Sequence, residues 1–196
     1  MRHLTAITIL CAFVILAAGC ASSPPSRFYT LSAATTPAAT SSNLSVAVGP
    51  VSVPAVVDRP QIVVSAGANQ VTLDEFNQWA SPLQDNISRV VTENLMAMLG
   101  TARVTLFSQA WSGDGEYRAG IEVRRFESML GEAAMLDAVW TVRRAKDGAS
   151  QTGRTSVREP APEKDYAALV AAHSRAIARL SQDIADAVRA LQRSGN

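Results

Sequence analysis

Apolar and polar positions in this chain recur with a period of two through the middle and near 3.6 in two flanking stretches. Arg27-Phe28-Tyr29-Thr30-Leu31 is aromatic and β-prone, and predicts a first short strand. Residues 32–43, rich in Ser, Thr, Ala and Pro, predict a flexible loop. Leu44-Ser45-Val46-Ala47-Val48 alternates apolar and small residues, the pattern of a half-buried strand. Gly49-Pro50 breaks that strand, Val51-Ser52-Val53 resumes it, and Pro54 stops it. Ile62-Val63-Val64 predicts another strand, with Gln70-Val71-Thr72-Leu73 as its hairpin partner across Gly67-Ala68-Asn69.

Helical spacing begins near Ser81. Ser81 is the expected N-cap and Pro82 the first helical residue, where its missing N–H costs nothing. Leu83, Ile87, Val90, Val91, Leu95 and Met98 then share one face, and Gly100 supplies the stop. Val104-Thr105-Leu106-Phe107 follows as a strand. Tyr117, Ala119, Ile121 and Val123 alternate as the next one, continuing to Phe126 past an irregularity at Arg124-Arg125. Leu136, Ala138, Trp140 and Val142 mark one face of a strand from Ala133 to Arg143. Lys146-Asp147-Gly148 turns it into a partner over Thr152 to Arg158, completing an antiparallel meander. A long helix from Pro162 to Gln192 closes the chain, with Tyr166, Leu169, Val170, His173, Ile177, Leu180, Ile184, Val188 and Leu191 as its stripe. The pattern predicts an α+β fold, a mostly antiparallel sheet with two amphipathic helices packed on one face. The stripe of the last helix reads as packing against the sheet. Its length also allows a partner-facing or coiled-coil role.

The first residues follow another logic. A basic start (Met1-Arg2-His3) precedes an uncharged segment from Leu4 to Ala18. Fifteen helical residues span roughly 22 Å, short of a bilayer core of about 30 Å, so the segment reads as a cleaved export signal. Leu16-Ala17-Ala18-Gly19-Cys20 resembles a bacterial lipobox, with Ala17 where Leu is commoner. That resemblance makes residues 1–19 a lipoprotein signal peptide and Cys20 the acylated (palmitate-bearing) first residue. Residues 20–26 form a short tether and residues 27–196 a single α+β lipoprotein domain. Ala21-Ser22 after the anchor, with no Asp, is the pattern associated with the outer membrane. The alternative is an ordinary signal cut elsewhere, with Cys20 a bystander.

Charge and chemistry narrow the function further. Cleavage would remove one of 18 basic residues, Arg2, and none of the 17 acidic ones, leaving a neutral chain. Such a chain lacks the basic stripe of a nucleic-acid binder. Cys11 lies in the signal, so the mature chain can form no internal disulfide. His173 is the only imidazole left, and it sits on the apolar stripe without a nucleophile motif or a second ligand. A structural role fits it best. Asp74-Glu75 read as a turn cap rather than an acid/base pair. Arg124-Arg125 reads as a solvated strand end, with an anionic partner as the other option. No catalytic residues, no cofactor and no metal site are expected. Trp111, followed by Ser112-Gly113-Asp114-Gly115, sits on a glycine-rich loop, either an interface anchor or a cover over the core.

Three further stretches carry a resemblance. These are Phe28-Tyr29-Thr30-Leu31, then Val48-Gly49-Pro50-Val51, then Asp58-Arg59-Pro60-Gln61-Ile62-Val63. With Phe76-x-x-Trp79-Ala80-x-Pro82-Leu83 and Asn94-Leu95, in this order and after a lipobox, the chain resembles the ABC-type transport auxiliary lipoprotein (PqiC/YmbA-like) family. The resemblance implies a non-enzymatic outer-membrane lipoprotein of an MCE-type intermembrane lipid transport system. Its domain would face the periplasm, and its partners would be an MCE-domain periplasmic transport protein and, through Cys20, the outer-membrane lipids. It also implies a homo-oligomer. Asp58, Arg59, Pro60, Phe76 and Trp79 become the positions to follow. Asp58-Arg59 reads as a local salt bridge or a partner contact, and Phe76 and Trp79 as packing at the helix start or lipid contacts. The competing readings are a lipoprotein supporting outer-membrane protein or lipopolysaccharide assembly, a lipid-binding carrier with its own pocket and, last, an enzyme.

Overall fold

The structure is a computed structural model that describes residues 24–38, 41–107 and 115–195. Its strands are β1 (Arg27–Tyr29), β2 (Val46–Ser52), β3 (Gln61–Gly67) and β4 (Gln70–Trp79), then β5 (Val104–Leu106), β6 (Tyr117–Met129), β7 (Ala133–Arg144) and β8 (Ser150–Pro160). Helix α1 spans Leu83–Leu99 and helix α2 spans Tyr166–Ser194.

Strand β6 organises the sheet. One edge pairs antiparallel with β7 along its length, from Tyr117↔Arg144 to Met129↔Ala133, and β8 pairs antiparallel with β7 beyond. The other edge is shared. β2 runs parallel to the first half of β6, and β3 touches the second half at Val64↔Ser128. β4 folds back on β3, while β1 and β5 add parallel strands to β4 and β2. The α+β class expected from the sequence is present, and the sheet is mixed rather than antiparallel throughout. The reason lies in the connections: β2 and β5 are joined through the β3–β4 hairpin and α1, a crossover long enough to return the chain in the same direction.

Both helices cover one face. The expected stripe of α1 is buried at Leu83, Ile87, Val90, Val91 and Leu95, and that of α2 at Leu169, Ile177, Leu180, Ile184 and Val188. Ala119, Ile121, Val123 and Phe126 of β6 and Leu136, Ala138, Trp140 and Val142 of β7 form the opposing layer. Val123 and Phe126 can both point inward because the register slips between Val123 and Arg125, where the sequence indicated an irregularity.

Two local expectations are corrected. The N-cap of α1 is Pro82, with extended backbone and no side-chain cap bond, and the helix starts at Leu83. Ser81 contributes its carbonyl instead, which accepts from Asn86 Nδ2 at 3.3 Å. The segment after Leu31 is also tied down rather than loose. Ala38 N–H donates to Ala97 O at 2.7 Å and Ser42 N–H to Gly100 O at 2.8 Å. Ser42 Oγ adds a bond to Leu99 O. The last carbonyls of a helix have no partner within it, so the crossing chain satisfies them and gains its own anchorage. Gly100 closes α1 at φ 62°, the left-handed conformation for which glycine is suited.

Candidate functional site

The residues ahead of β3 and those at the end of β4 are about twenty positions apart in sequence, and the hairpin brings them together. Trp79 N–H donates to Pro60 O at 2.7 Å, beside the Gln61↔Gln78 pair. A tight turn precedes this contact, with Val57 N–H and Asp58 N–H both donating to Pro54 O. The result is a cleft of about 370 Å³ bounded by Asp58, Arg59, Pro60, Trp79, Ser81 and Pro82, at the head of α1.

The cleft joins a polar rim to the core. Asp58 and Pro60 are exposed. Arg59 is half-buried, and its Nε is shielded from solvent without a hydrogen-bond partner. Among the described residues Asp58 and Arg59 form no ion pair with each other. Trp79 is buried at the back of the cleft, its ring edge-on to Phe126 at 6.2 Å and to His173 at 6.5 Å. Phe76 does not join this group. It lies on the outer face of β4, 39% exposed, and its N–H donates to Asp74 Oδ1. Cys20 and Trp111 lie outside the described residues.

Behind Trp79 is a buried polar pair that the sequence did not reveal. His173 is fully buried and stacks on Phe126, with centroids 3.9 Å apart and planes at 8°. Its Nε2 lies 2.8 Å from Ser128 Oγ, and its Nδ1 has no partner. Burial pushes the imidazole down to about 3, so it is neutral at ordinary pH. A serine next to a neutral histidine suggests a hydrolytic dyad. Among the described residues this pair has no carboxylate to orient the imidazole, and the Ser128–His173 contact is itself buried, with Ser128 2% exposed. The pair therefore satisfies two polar groups in the core.

A second polar tie fixes β4 to α2. Tyr166 Oη donates to Asp74 Oδ2 at 2.7 Å, while Asp74 Oδ1 accepts from the N–H groups of Phe76 and Asn77. These bonds hold the Asp74 carboxyl below its usual range even though burial works against them. The Asp74 turn cap anticipated from the sequence is thus present, and Tyr166 is the partner that it did not reveal. Tyr29 Oη donates to Asn77 Oδ1 at 2.9 Å, so β1 is held by the same turn. Among the described residues no cluster of metal-ligating side chains occurs, and no helix is long and apolar enough to cross a membrane.

The fold is shared with solved structures. The chain is similar to an uncharacterized protein at a TM-score of 0.69 and 20% identity, covering 84% of this chain and 99% of that one. It is equally similar to a protein from Xanthomonas campestris, at a TM-score of 0.69 and 21% identity, covering 87% and 100%. Among curated protein sequences none is significantly similar to it. A family model described as the ABC-type transport auxiliary lipoprotein component matches residues 29–185, a span that contains strands β2 to β8, the cleft, the Ser128–His173 pair, all of α1 and most of α2. With that span matched, the chain belongs to the ABC-type transport auxiliary lipoprotein family.

Proposed function

We propose that this chain is the outer-membrane-anchored, non-catalytic auxiliary component of an MCE-type intermembrane lipid transport system. The observation that carries the reading is the family match over residues 29–185, behind a lipobox-like segment ending at Cys20. The acylated Cys20 holds the protein at the outer membrane, and the domain faces the periplasm. Three acyl chains at about 0.8 kcal/mol per buried CH₂ make such attachment effectively permanent. The domain docks the distal end of a periplasmic MCE-domain assembly and acts as a homo-oligomer. The cleft formed by Asp58, Arg59, Pro60 and Trp79 is the docking position on this chain. A groove with a polar rim and an aromatic floor suits a protein partner better than a reaction.

The test is crosslinking in intact cells that carry the tagged full-length protein, followed by identification of what purifies with it. Recovery of an MCE-domain protein, lost when Cys20 is changed to Ala, is the expected result. Recovery of a barrel-assembly or lipopolysaccharide-export protein instead would overturn the proposal.

A further inference from the structure

Apolar side chains on a solvent-facing sheet cluster on one wing of this molecule. Val71, Leu73, Phe76 and Phe28 are 47%, 38%, 39% and 63% exposed. The register places them on a single face. Val63 pairs with Leu73 and Ser65 with Val71, so these two apolar residues leave β4 on the same side. Asp74 then turns inward to Tyr166 of α2. The three residues that follow bulge, since Ile62 faces Asp74 whereas Gln61 faces Gln78. Beyond the bulge Asn77 meets Tyr29 and Trp79 enters the core, which leaves Phe76 and Gln78 facing out. Phe28 pairs with Gln78, and because Tyr29 points inward its ring extends the outward row. The helices cover the opposite side of the sheet, and among the described residues this row stays exposed to solvent.

What covers the row follows from where the chain comes from. Phe28 is the second residue of β1, and residues 24–26 leading to it are exposed. Ala21 to Ser26 can extend no more than about 21 Å at ~3.5 Å per residue. A lipid-bearing Cys20 therefore keeps Phe28 close to the bilayer surface, and the end of the apolar row nearest the tether is the end nearest the lipid. Arg27, exposed and adjacent, supplies a positive charge for headgroup phosphates. Glu75, the exposed acid in the bulge, accepts from Gln61 Nε2 at 3.2 Å. Rings of this kind lodge at the boundary between headgroups and acyl chains.

We infer that the outer face of β1 and β4, marked by Phe28, Phe76, Leu73 and Val71, lies against the membrane surface and sets the orientation of the domain on it. The inference rests on the anchored reading of Cys20. It turns a tethered domain into one held at two points, with both helices directed away from the bilayer and the cleft at the head of α1 at the side.

The lipidated full-length protein provides its own labelling scheme, because acylation blocks the only cysteine of the mature chain. Phe28→Cys and Leu73→Cys each carry an environment-sensitive dye, and Gln182→Cys on the exposed side of α2 is the reference. Each protein is placed in vesicles of phosphatidylethanolamine and phosphatidylglycerol containing lipids with a nitroxide near the headgroup end of the acyl chain. Quenching several-fold stronger at positions 28 and 73 than at 182 is expected. Equal quenching at all three positions overturns the inference. Dyes at 28 and 73 that are shielded from a water-soluble quencher yet untouched by the lipid nitroxide also overturn it, because protein then covers the face. The mass of the N-terminal peptide separates the two levels. An unacylated peptide removes the anchor and this inference with it, whereas an acylated peptide with unquenched dyes rejects the orientation alone.

Discussion

The indole of Trp140 occupies the space that a side chain at Gly153 would need. The two residues face each other on β7 and β8. A Cβ built at Gly153 would lie 2.6 Å from Trp140 Cη2 and closer still to Cζ2. The indole is held in place by its Nε1–H, which donates to Thr155 Oγ1 at 3.1 Å. Glycine normally weakens a strand, and here its missing side chain is the condition for burying a tryptophan. Gly153→Ala is expected to destabilise the fold by about 1–3 kcal/mol through overpacking. In a Trp140→Leu background the same change becomes neutral or favourable. Thermal or denaturant unfolding of the four proteins in that cycle checks both signs.

Acid should weaken the protein before its carboxylates titrate. His173 takes up a proton only near pH 3 in the folded state, because burial disfavours its charged form, against about 6.5 when unfolded. Between these values the unfolded chain binds the extra proton. Stability is therefore complete above about pH 6.5 and falls as pH drops below it, by up to ~1.4 kcal/mol per unit. The carboxyls of Asp74, Asp137 and Asp147 are all held below the usual range, so their contribution is lost only at lower pH. Urea unfolding between pH 7.5 and 4.5 isolates the histidine. The His173→Phe, Ser128→Ala double variant, which removes both members of the pair, should show a flat profile in that window.

The contact between α1 and α2 contains one buried amide. Asn94, fully buried, donates from Nδ2 to Ser181 Oγ at 3.2 Å and accepts from Ala34 N–H at 3.3 Å. It links the two helices to the segment crossing them. Asn94→Leu leaves the Ala34 N–H without that partner and is expected to cost about 1–3 kcal/mol. Hydrogen exchange gives the specific readout: the Ala34 amide loses protection by more than the global loss of stability accounts for.

Element types followed closely from periodicity, because the core is one layer of helix stripes on one layer of alternating strands. The departures occur where a local hydrogen bond overrides the pattern. The second half of β4 does not alternate in sequence, since the Asp74 turn inserts extra residues between Leu73 and Gln78. Residues 32–43 carry the composition of a loose loop, yet their N–H groups meet the unpaired carbonyls ending α1. Composition says nothing of that contact. At the candidate site, the meeting of Asp58, Arg59 and Pro60 with Trp79 follows from the hairpin that the sequence already indicated. The separation of Phe76 from Trp79 does not, because a spacing of three residues reads as a shared face only on a helix. Ser128 was hidden for a different reason: a serine gives no sign of its partner 45 positions away.

Arg59 and Trp79 should separate docking from folding. Both border the cleft, but they are tied to the molecule differently. Trp79 is buried against Phe126 and His173, so Trp79→Ala is expected to cost about 3–5 kcal/mol and to lower the amount of protein in the cell. Arg59 makes no ion pair among the described residues, and its Nε has no hydrogen-bond partner. Its truncation should change stability by less than about 1 kcal/mol. If the cleft is where the MCE-domain partner docks, Arg59→Ala leaves abundance and unfolding temperature nearly unchanged while the crosslinked partner is recovered at least several-fold less. Arg59→Lys, which keeps the charge but not the planar fork, should restore recovery only in part. Unchanged recovery with Arg59→Ala would move the docking surface away from this cleft without touching the assignment to the family.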